Sequence, residues 1–443
     1  MPTKTSHRKL ELQSKITQIM VIIKKEVFPN FFIGDEYEPI IQGIVNLSPE
    51  SFYKRSVVKR DEINGQIKSF IDKGAKILDV GARSTAPGVV PITQEEEIER
   101  LKPFLESLVN TINNKTIISI DTQYSKIGEY CINFCQKHGF NVIINDVSGL
   151  KTDPKMMDMV IDNDVPLILM ASSQRPGDIV SVNSILESLF ESVLNLERRN
   201  YDLNKLIIDP GIGKWIPEKT YEYDLSIIDN LQRFRVFGQP ILVGISRKSF
   251  ITGVLGPRKP DDRYNGTLAA TTIAVYNGAH IIRTHDITDE LFEMIRMGRA
   301  IRKKPLYIEK NGLKGGLIKC IKDPIEARFY QRRIGVTPAG SRIMAKKMVM
   351  KLIKLDNVTA PQALVLKQEL LARGGDVAIH KDAVTTENKK YDKNQSCILI
   401  GTEKQLFSLV EKLKGQQLEL DKIGEIISEI LEKSREDKYL HSN

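Results

Sequence analysis

Short apolar runs rich in valine and isoleucine recur through about the first 300 residues of the chain. Each has the composition of a strand buried in a parallel sheet. The runs lie at 40–47, 75–80, 116–120, 141–145, 165–170, 206–208, 240–245 and 279–282. Segments with helical spacing separate them, such as 94–111 and 184–199. Eight alternations of strand and helix predict an α/β fold, a (β/α)8 TIM barrel over residues 39–305. A doubly wound sheet is the alternative, although it would rarely need eight consecutive parallel strands.

The pattern changes on both sides of this predicted barrel. Residues 1–38 have the pattern of a short helical lead-in, and residues 306–345 form a connector rich in glycine and lysine. A second α/β pattern covers residues 346–437. Its predicted strands lie at 348–355, 376–380 and 397–401, and its predicted helices at 361–373, 403–413 and 420–433. We therefore expect a smaller accessory α/β domain after the barrel.

Each predicted barrel strand ends in a polar or glycine-containing cluster. A single Asp or Asn at a strand end is as readily a turn or helix cap as a functional group. In a barrel, however, the carboxyl ends of all strands meet on one rim, where the active site of this fold is built. A shared site explains eight such clusters better than eight separate caps do. The clusters begin at or near Asn46, Asp79, Asp121, Asn145, Met170, Asp209, Ser246 and Arg283.

Composition narrows the class of protein. With 443 residues, of which 41% are hydrophobic and 27% charged, the chain can bury a globular core. No apolar run approaches the ~20 residues of a membrane span, and the N-terminus lacks a signal-peptide pattern. The four cysteines are too few for a disulfide scaffold, so we expect reduced thiols and a cytoplasmic location. The net charge of +9 is spread along the chain, which predicts neither a nucleic-acid nor a membrane partner.

The polar clusters resemble, in order, the motifs of the dihydropteroate synthase family, whose members are pterin-binding barrels. Residues 43–52 resemble the first family motif, Gly-Ile-Leu-Asn-Val-Thr-Pro-Asp-Ser-Phe. Residues 79–88 resemble the second, Asp-Ile-Gly-Gly-Glu-Ser-Thr-Arg-Pro-Gly. The motifs that follow are Ser119-Ile120-Asp121-Thr122, Ile144-Asn145-Asp146, Asp209-Pro210-Gly211-Ile212-Gly213, Ser246-Arg247-Lys248-Ser249-Phe250 and Arg283-Thr284-His285-Asp286.

The resemblance implies a transferase that joins 6-hydroxymethyl-7,8-dihydropterin diphosphate to 4-aminobenzoate, or to a related arylamine, and releases pyrophosphate in folate biosynthesis. It assigns pterin binding to Asp121, Asn145, Met170, Asp209, Lys248 and Arg283. It assigns catalysis to Asp121, Lys248, Arg283 and His285, and arylamine binding to Ser84, Thr85, Pro87 and Ser249. Diphosphate would be bound by Asn46, Arg283 and His285, and Asn46 would be a ligand of the expected cofactor, Mg²⁺. A homodimer is the expected assembly.

These residue types suit that reaction. A pterin ring presents a flat row of donors and acceptors, which Asp121, Asn145 and Asp209 could match in pairs. Loss of pyrophosphate leaves a resonance-stabilised cation, whose positive charge a nearby carboxylate such as Asp121 would offset. Positive charge at Arg283 and His285 would help to draw off the leaving group. An aniline nitrogen is neutral at pH 7, so no strong general base is required.

Several positions depart from the family pattern. Arg83 stands where the family has Glu, and Ala86 replaces an arginine that would help to bind diphosphate, a loss for which Arg83 could compensate. Ala171 replaces a histidine. The family segment Gly-Phe-Gly-Lys is shortened here to Gly213-Lys214-Trp215. Two interpretations of Trp215 fit equally well: it replaces the missing phenylalanine, or it is a partly buried anchor of the loop. These changes reshape the arylamine pocket, so a bulkier arylamine is an open alternative.

Two other functions share the predicted barrel. A pterin-dependent methyltransferase would use the same pterin pocket but has no pyrophosphate to bind, which the cationic clusters at 246–249 and 283–285 argue against. A non-catalytic pterin-binding protein is favoured only if Ala86 and Ala171 reflect lost catalysis.

The C-terminal region also carries a resemblance. Residues 362–376 and 398–406 are similar to an accessory segment that some dihydropteroate synthases carry ahead of the barrel, whereas here the segment follows it. A structural or dimer-associated part is the simpler interpretation. A lid that contributes Lys367 or His380 to the second substrate is the alternative.

Overall fold

The computed structural model describes residues 22–435, except for 52, 86–87, 112–115, 319–320 and 384–394. The described chain forms two compact units that divide between residues 317 and 318. Residues 1–21 of the predicted lead-in lie outside the described residues. Pro87, one of the predicted arylamine residues, and Ala86 also lie outside them.

Eight parallel strands of the first unit form a (β/α)8 barrel, which confirms the predicted fold class. The strands of this unit are β1 (Lys24–Phe28), β2 (Phe31–Gly34), β3 (Ile40–Asn46), β4 (Ile77–Gly81), β5 (Ile117–Asp121), β6 (Asn141–Asp146), β7 (Leu167–Met170), β8 (Leu206–Asp209), β9 (Leu242–Gly244), β10 (Ile281–Thr284), β11 (Tyr307–Lys310) and β12 (Leu313–Gly316). The barrel comprises β3 to β10, paired in the order β8-β7-β6-β5-β4-β3-β10-β9. A parallel bridge between Ile208 and Ile241 joins β8 to β9 and closes the barrel.

The helices of this unit cover the outside of the barrel. They are α1 (Ile63–Asp72), α2 (Gln94–Thr111), α3 (Ser125–Lys137), α4 (Met156–Asp162), α5 (Val182–Arg198), α6 (Tyr221–Asp229), α7 (Phe250–Leu255), α8 (Tyr264–Tyr276) and α9 (Asp289–Ile301). Helix α5 shows why such segments fold. Ser181 caps it by accepting a hydrogen bond from the Ser184 backbone N–H, and its buried side chains include Ile185, Leu189 and Leu196, a stripe with helical spacing.

The described part of the lead-in is a β-hairpin, not the predicted helix. Strands β1 and β2 pair antiparallel, and Asn30 takes a left-handed conformation at the turn, with φ of 62°. Val27 and Ile33 are buried against the N-terminal ends of the barrel strands, for example Ile77 and Ile281. Alternating burial along β1 has the period of a strand rather than of a helix. The hairpin therefore closes the barrel at the end opposite the polar rim.

A buried carboxylate fixes the segment that follows the hairpin. Asp35 receives two hydrogen bonds from Arg235, at 2.8 and 2.7 Å, one from Arg302 at 3.2 Å and one from His280 Nε2 at 3.3 Å. His280 is held in this orientation because its Nδ1 accepts from the Ile241 backbone N–H. Burial alone would raise the pKa of Asp35, but the hydrogen bonds from Arg235 and His280 hold it well below its ordinary value.

The second unit is a smaller α/β domain, as the sequence predicted. Its elements are α10 (Pro324–Arg333), α11 (Pro338–Ala345), β13 (Met350–Val358), α12 (Ala360–Leu371), β14 (Asp376–Ala378), β15 (Gln395–Thr402), α13 (Glu403–Leu413) and α14 (Leu420–Lys433). The predicted connector, 306–345, is therefore not a separate segment, because β11 and β12 belong to the first unit and α10 and α11 to the second. The sheet has the order β13-β15-β14, and β15 is antiparallel to both neighbours. Its core includes Leu366 and Leu399. Lys367 is engaged within the unit, where its Nζ donates to Asp376 and to the Val377 carbonyl, at 2.9 Å each.

Candidate active site

The barrel brings most of the predicted residues together on one rim. Neighbouring strands place Gly81 opposite Asp121, Asp121 opposite Asn145, and Met170 opposite Asp209. Arg283 lies near the end of β10. Because parallel strands in register end at the same height, these side chains share one concave surface.

Arg283 lies at the centre of this surface, between two carboxylates. Its Nε donates to Asp79 and its Nη2 to Asp121, both at 2.6 Å. Asp79 is fully buried and also accepts hydrogen bonds from Ser119, at 2.6 Å, and from Asn145 Nδ2, at 3.2 Å. Sequence reasoning assigned no role to Asp79, although it opens the second family motif. The structure shows that it orients two of the predicted pterin residues, Asn145 and Arg283.

The same cluster shifts the ionisation of its members. Burial raises the pKa of Asp121 to about 7, since Arg283 offsets this effect only in part and the carboxylates of Asp79 and Glu97 add to it. Burial also raises the pKa of Asp209 despite nearby Lys248. A cationic or hydrogen-bonding ligand would therefore lower the pKa of both carboxyls.

Asn145 presents a buried acceptor to this surface. Its side chain is 1% exposed, and its Oδ1 makes no hydrogen bond with the described residues. A buried acceptor without a partner is costly, so such an atom indicates a site for a hydrogen-bond donor from a ligand. Asp209 uses one oxygen to accept from the Gly211 backbone N–H, at 2.8 Å. Met170, which is 1% exposed, supplies an apolar wall next to it.

Lys248 approaches the rim from the loop after β9. Its ammonium donates to the Ile212 carbonyl and lies 4.8 Å from the centre of the Trp215 ring. Burial lowers the pKa of Lys248 to about 8, although the charge of Asp209 opposes this change. A second lysine, Lys219, lies 5.6 Å from the same indole. Sequence reasoning missed Lys219, which is only 1% exposed and donates to the Gly211 carbonyl at 2.6 Å.

Trp215 contacts two loops of the rim. A Cβ atom on Gly177, in the loop after β7, would lie 2.2 Å from the indole, so the glycine lets this loop pack directly on the ring. Gly213 has φ of +133°, and a Cβ there would lie 2.9 Å from the Lys248 ammonium. The indole thus anchors a loop and also contacts the predicted catalytic lysine, so both interpretations of Trp215 describe part of its environment.

His285 is present at the rim as a neutral group. Burial, together with the charges of Arg283, Arg247 and Lys248, lowers the pKa of His285 to about 3. Ser246 Oγ accepts from the His285 backbone N–H and lies 3.0 Å from its Nδ1. In the absence of an anion, this imidazole therefore offers a hydrogen bond rather than the positive charge that the sequence analysis expected.

Asn46, the predicted magnesium ligand, lies at the end of β3. Its Oδ1 accepts from the Ser48 backbone N–H and its Nδ2 donates to Ser56 Oγ, each at 3.0 Å. No group of three or more His, Cys, Asp or Glu side chains suited to a metal occurs among the described residues. An amide oxygen has a second lone pair, so Asn46 could still supply one ligand to an ion held mainly by substrate phosphates.

The loop after β4 carries Ser84 and Thr85, both half-buried. Arg83, which precedes them, donates to Glu97 at 2.5 Å and to the Thr93 carbonyl at 3.3 Å. Its guanidinium is therefore already engaged, which contradicts the expectation that it could compensate at the diphosphate for Ala86. Ser249 is exposed at the start of α7, next to Lys248.

Comparison with known proteins identifies the family. The sequence model of the pterin binding enzymes matches residues 42–285. The dihydropteroate synthase of Bacillus subtilis is 32% identical over 268 residues, which cover 60% of this chain and 89% of that protein. The dihydropteroate synthase of Clostridium beijerinckii is 34% identical over 261 residues, covering 58% of this chain and 92% of that protein.

Solved structures give the same result. A dihydropteroate synthase from Coxiella burnetii in complex with pteroic acid shares 30% identity, with a TM-score of 0.52, over 60% of this chain and 94% of that one. The Xanthomonas albilineans enzyme with 4-aminobenzoic acid shares 28% identity, with a TM-score of 0.53, over 63% of this chain and 98% of that one. Among the described residues, no helix has the length and apolarity needed to cross a membrane.

The relatives named above are synthases, which favours a synthase over a methyltransferase or a non-catalytic binding protein. The family match and the ordered motifs both fall on the barrel, whose rim carries the clustered polar side chains. The chain belongs to the family of pterin binding enzymes, within its dihydropteroate synthase branch, and it is a transferase.

Proposed function

We propose that the barrel condenses 6-hydroxymethyl-7,8-dihydropterin diphosphate with 4-aminobenzoate, or a related arylamine, and releases pyrophosphate. The observation that carries this proposal is the buried, unpartnered Oδ1 of Asn145 between the strands that bear Asp121 and Asp209. Relatives whose structures hold pteroic acid and 4-aminobenzoic acid support the choice of substrates.

The pterin would lie against Asp121, Asn145, Met170, Asp209 and Lys248. Its ring edge offers N–H donors, which suit the Asn145 amide oxygen and the carboxylate of Asp209, and it carries a carbonyl that suits the Lys248 ammonium. Met170 would pack against the flat face of the ring. Each charged hydrogen bond of this kind contributes about 1.5–3 kcal/mol.

The reaction would proceed by loss of the leaving group followed by attack of the amine. The exocyclic C–O bond breaks, and its electron pair leaves with pyrophosphate. The arylamine nitrogen then forms the new C–N bond and releases one proton. We assign Asp121 to offset the positive charge on the pterin, because its carboxylate is fixed by Arg283 at 2.6 Å and needs no reorganisation during the reaction.

The diphosphate would be bound by Asn46, Arg283 and His285. Arg283 keeps its charge because Asp79 and Asp121 oppose the effect of burial and raise its pKa. The neutral imidazole of His285 would donate one hydrogen bond. Mg²⁺, for which Asn46 is the proposed protein ligand, would neutralise charge on the departing pyrophosphate.

The arylamine would lie on the outer side of the pterin, near Ser84, Thr85, Pro87 and Ser249. The Trp215 indole lies next to Lys248 and would form one wall of this subsite. A site bounded by an indole and small polar side chains suits 4-aminobenzoate, and a larger para-substituted arylamine is the second candidate.

We also propose a homodimer formed by α8 and α9. The two helices pack closely, since a Cβ on Gly298 of α9 would lie 2.5 Å from the Thr272 carbonyl of α8. Their outer surface exposes large apolar side chains, including Ile273, Tyr276, Met297 and Ile301, which are 50–60% exposed. A symmetric pair would bury this apolar surface on both copies.

We further propose a cytoplasmic location, supported by the buried, unpaired thiols of Cys131, Cys135 and Cys397 among the described residues. For the C-terminal unit we propose a structural or dimer-associated role. The engagement of Lys367 inside the unit favours this role over a lid that presents Lys367 to the arylamine.

The proposal is tested by Asn145→Leu, which removes the unpartnered acceptor, together with the Nδ2 hydrogen bond to Asp79, with little change in volume. Titration calorimetry with a pterin should show at least tenfold weaker binding, and pyrophosphate release should fall in parallel. Asn163→Leu, in the loop after α4, is the matched control and should bind as the wild type does. Wild-type pterin affinity in Asn145→Leu would contradict the assigned pocket.

A further inference from the structure

One turn of helix α2 contacts the ends of three consecutive barrel strands. Glu97 has no exposed surface; it accepts a hydrogen bond from Arg83, after β4, at 2.5 Å, and from Thr122, after β5, at 2.9 Å. Arg100 lies three residues further along the same helix. It donates to both carboxylate oxygens of Glu50, after β3, at 2.9 Å each, and to the Ala82 carbonyl at 3.2 Å.

Arg83 is held from several sides. Besides Glu97 and the Thr93 carbonyl, its guanidinium lies 4.8 Å from the centre of the Tyr124 ring. Only 9% of the Arg83 side chain is exposed, so the ion pair with Glu97 is buried. Removing one partner of a buried pair leaves the other charge uncompensated, so Arg83 is strongly retained in this position.

Arg100 makes an equivalent connection to the loop after β3. The two parallel hydrogen bonds to Glu50, together with one from Ser48 Oγ at 2.7 Å, lower the pKa of Glu50 to about 2. The backbone N–H of Ser48 in turn donates to Asn46. A continuous set of hydrogen bonds therefore runs from α2 to the proposed magnesium ligand.

We propose that Arg83, Glu97, Thr122, Arg100 and Glu50 form a clamp that positions the loops after β3 and β4 for arylamine binding. This inference rests on the proposed function. Arg83 directly precedes Ser84 and Thr85, and it acts as a positioning residue, not as a diphosphate ligand. None of the clamp residues is among those assigned to the pterin ring, and the clamp reaches the arylamine subsite through Arg83.

The test compares Arg83→Gln and Arg100→Gln with wild type. Both variants should raise the KM for 4-aminobenzoate by about tenfold or more, because arylamine binding would then have to order a loop that the wild type holds in place. The Kd for a pterin, measured by calorimetry, should stay within about twofold. Arg83→Lys keeps the charge opposite Glu97 and should recover part of the loss. Arg198→Gln, an exposed arginine on α5, is the matched control and should leave both constants unchanged.

Hydrogen exchange of the substrate-free enzyme provides a readout that does not depend on turnover. Peptides covering the loops after β3 and β4 should exchange faster in both variants, while the barrel strands keep their wild-type protection. Glu50→Gln, at a side chain that is 33% exposed, gives the same comparison if Arg83→Gln does not fold.

The outcomes separate the clamp from the proposed function. If wild type turns over no arylamine, the proposed function is wrong. Hydrogen exchange of the loops after β3 and β4 then tests the clamp by itself. Unchanged exchange in the variants overturns the clamp, and so does equal weakening of pterin and arylamine binding in an active enzyme.

Discussion

Replacing Asp121 by asparagine should make the substrate-free enzyme more stable at pH 8 while it loses activity. Asp121 is the last residue of β5, its carboxyl pairs with Arg283, and burial raises its pKa to about 7. Folding at pH 8 therefore forces a charge into a site that disfavours it. The amide oxygen of the variant can still accept from Arg283, which keeps Asp79 as its counter-charge.

The size of this effect follows from linkage between ionisation and folding. A pKa raised from 3.8 to about 7 corresponds to about 4 kcal/mol of destabilisation above pH 7. One-fifth of the side chain is exposed, so we expect the smaller gain of about 1–3 kcal/mol for the variant at pH 8. Below pH 3.8 the carboxyl is protonated in both the folded and the unfolded protein, so its raised pKa no longer affects stability. The stability gain of the variant at about pH 5 should therefore be less than half of its gain at pH 8.

Urea unfolding of wild type and Asp121→Asn at pH 8 and pH 5 measures this difference. Asp178→Asn is the control of opposite sign. Burial raises the pKa of Asp178, but hydrogen bonds from backbone N–H groups outweigh that effect and lower it, so loss of its charge should destabilise the protein at pH 8. Turnover by Asp121→Asn should fall at least tenfold. A variant that is less stable than wild type at pH 8 would refute the reasoning, as would a gain that does not depend on pH.

Three further predictions concern other groups. Burial lowers the pKa of Lys248 to about 8, so the ammonium loses its charge between pH 7 and pH 9 and wild-type pterin affinity in calorimetry should fall over that range. Lys248→Met should bind pterin weakly at both pH values. Wild-type binding that does not depend on pH would contradict a role for the ammonium. Asp35→Asn leaves Arg235 and Arg302 without their shared counter-charge and should lose about 3–5 kcal/mol of unfolding free energy in urea, and a loss below about 1 kcal/mol would contradict this. If Asn46 shares Mg²⁺ with the substrate, excess chelator should stop turnover without changing the melting temperature of the free enzyme, and full activity in chelator would argue against that ligand.

The barrel was predictable because each strand is rich in isoleucine, leucine or valine and is followed by a polar or glycine-containing cluster. Even some helix limits follow from the sequence, since the predicted helix 420–433 coincides with α14. The hairpin of β1 and β2 was missed because β1 begins with three consecutive charged residues, Lys24 to Glu26, and its alternating burial includes Lys25, so the sequence shows no apolar alternation. The secondary structure of so short a segment depends on what it packs against, which here is the end of the barrel.

The sequence predicted which residues form the site, but not their protonation states or their ion pairs. Motif order brings Asp121, Asn145 and Arg283 to one rim, since strand ends in a barrel always meet there. The neutrality of His285 depends on burial and on cations from other strands, and no single motif carries that information. The pairing of Arg83 with Glu97 depends on how a loop folds against a helix, so the sequence left Arg83 open as a diphosphate ligand.

The central claim is that this barrel joins a pterin diphosphate to an arylamine. The most direct measurement incubates the purified full chain with 6-hydroxymethyl-7,8-dihydropterin diphosphate and 4-aminobenzoate, and follows both products. Pyrophosphate by a coupled assay and the pterin–arylamine conjugate by mass spectrometry should appear in a 1:1 ratio, and both should depend on the amine. Pyrophosphate release without a conjugate, with 4-aminobenzoate and with larger para-substituted arylamines alike, would contradict the account.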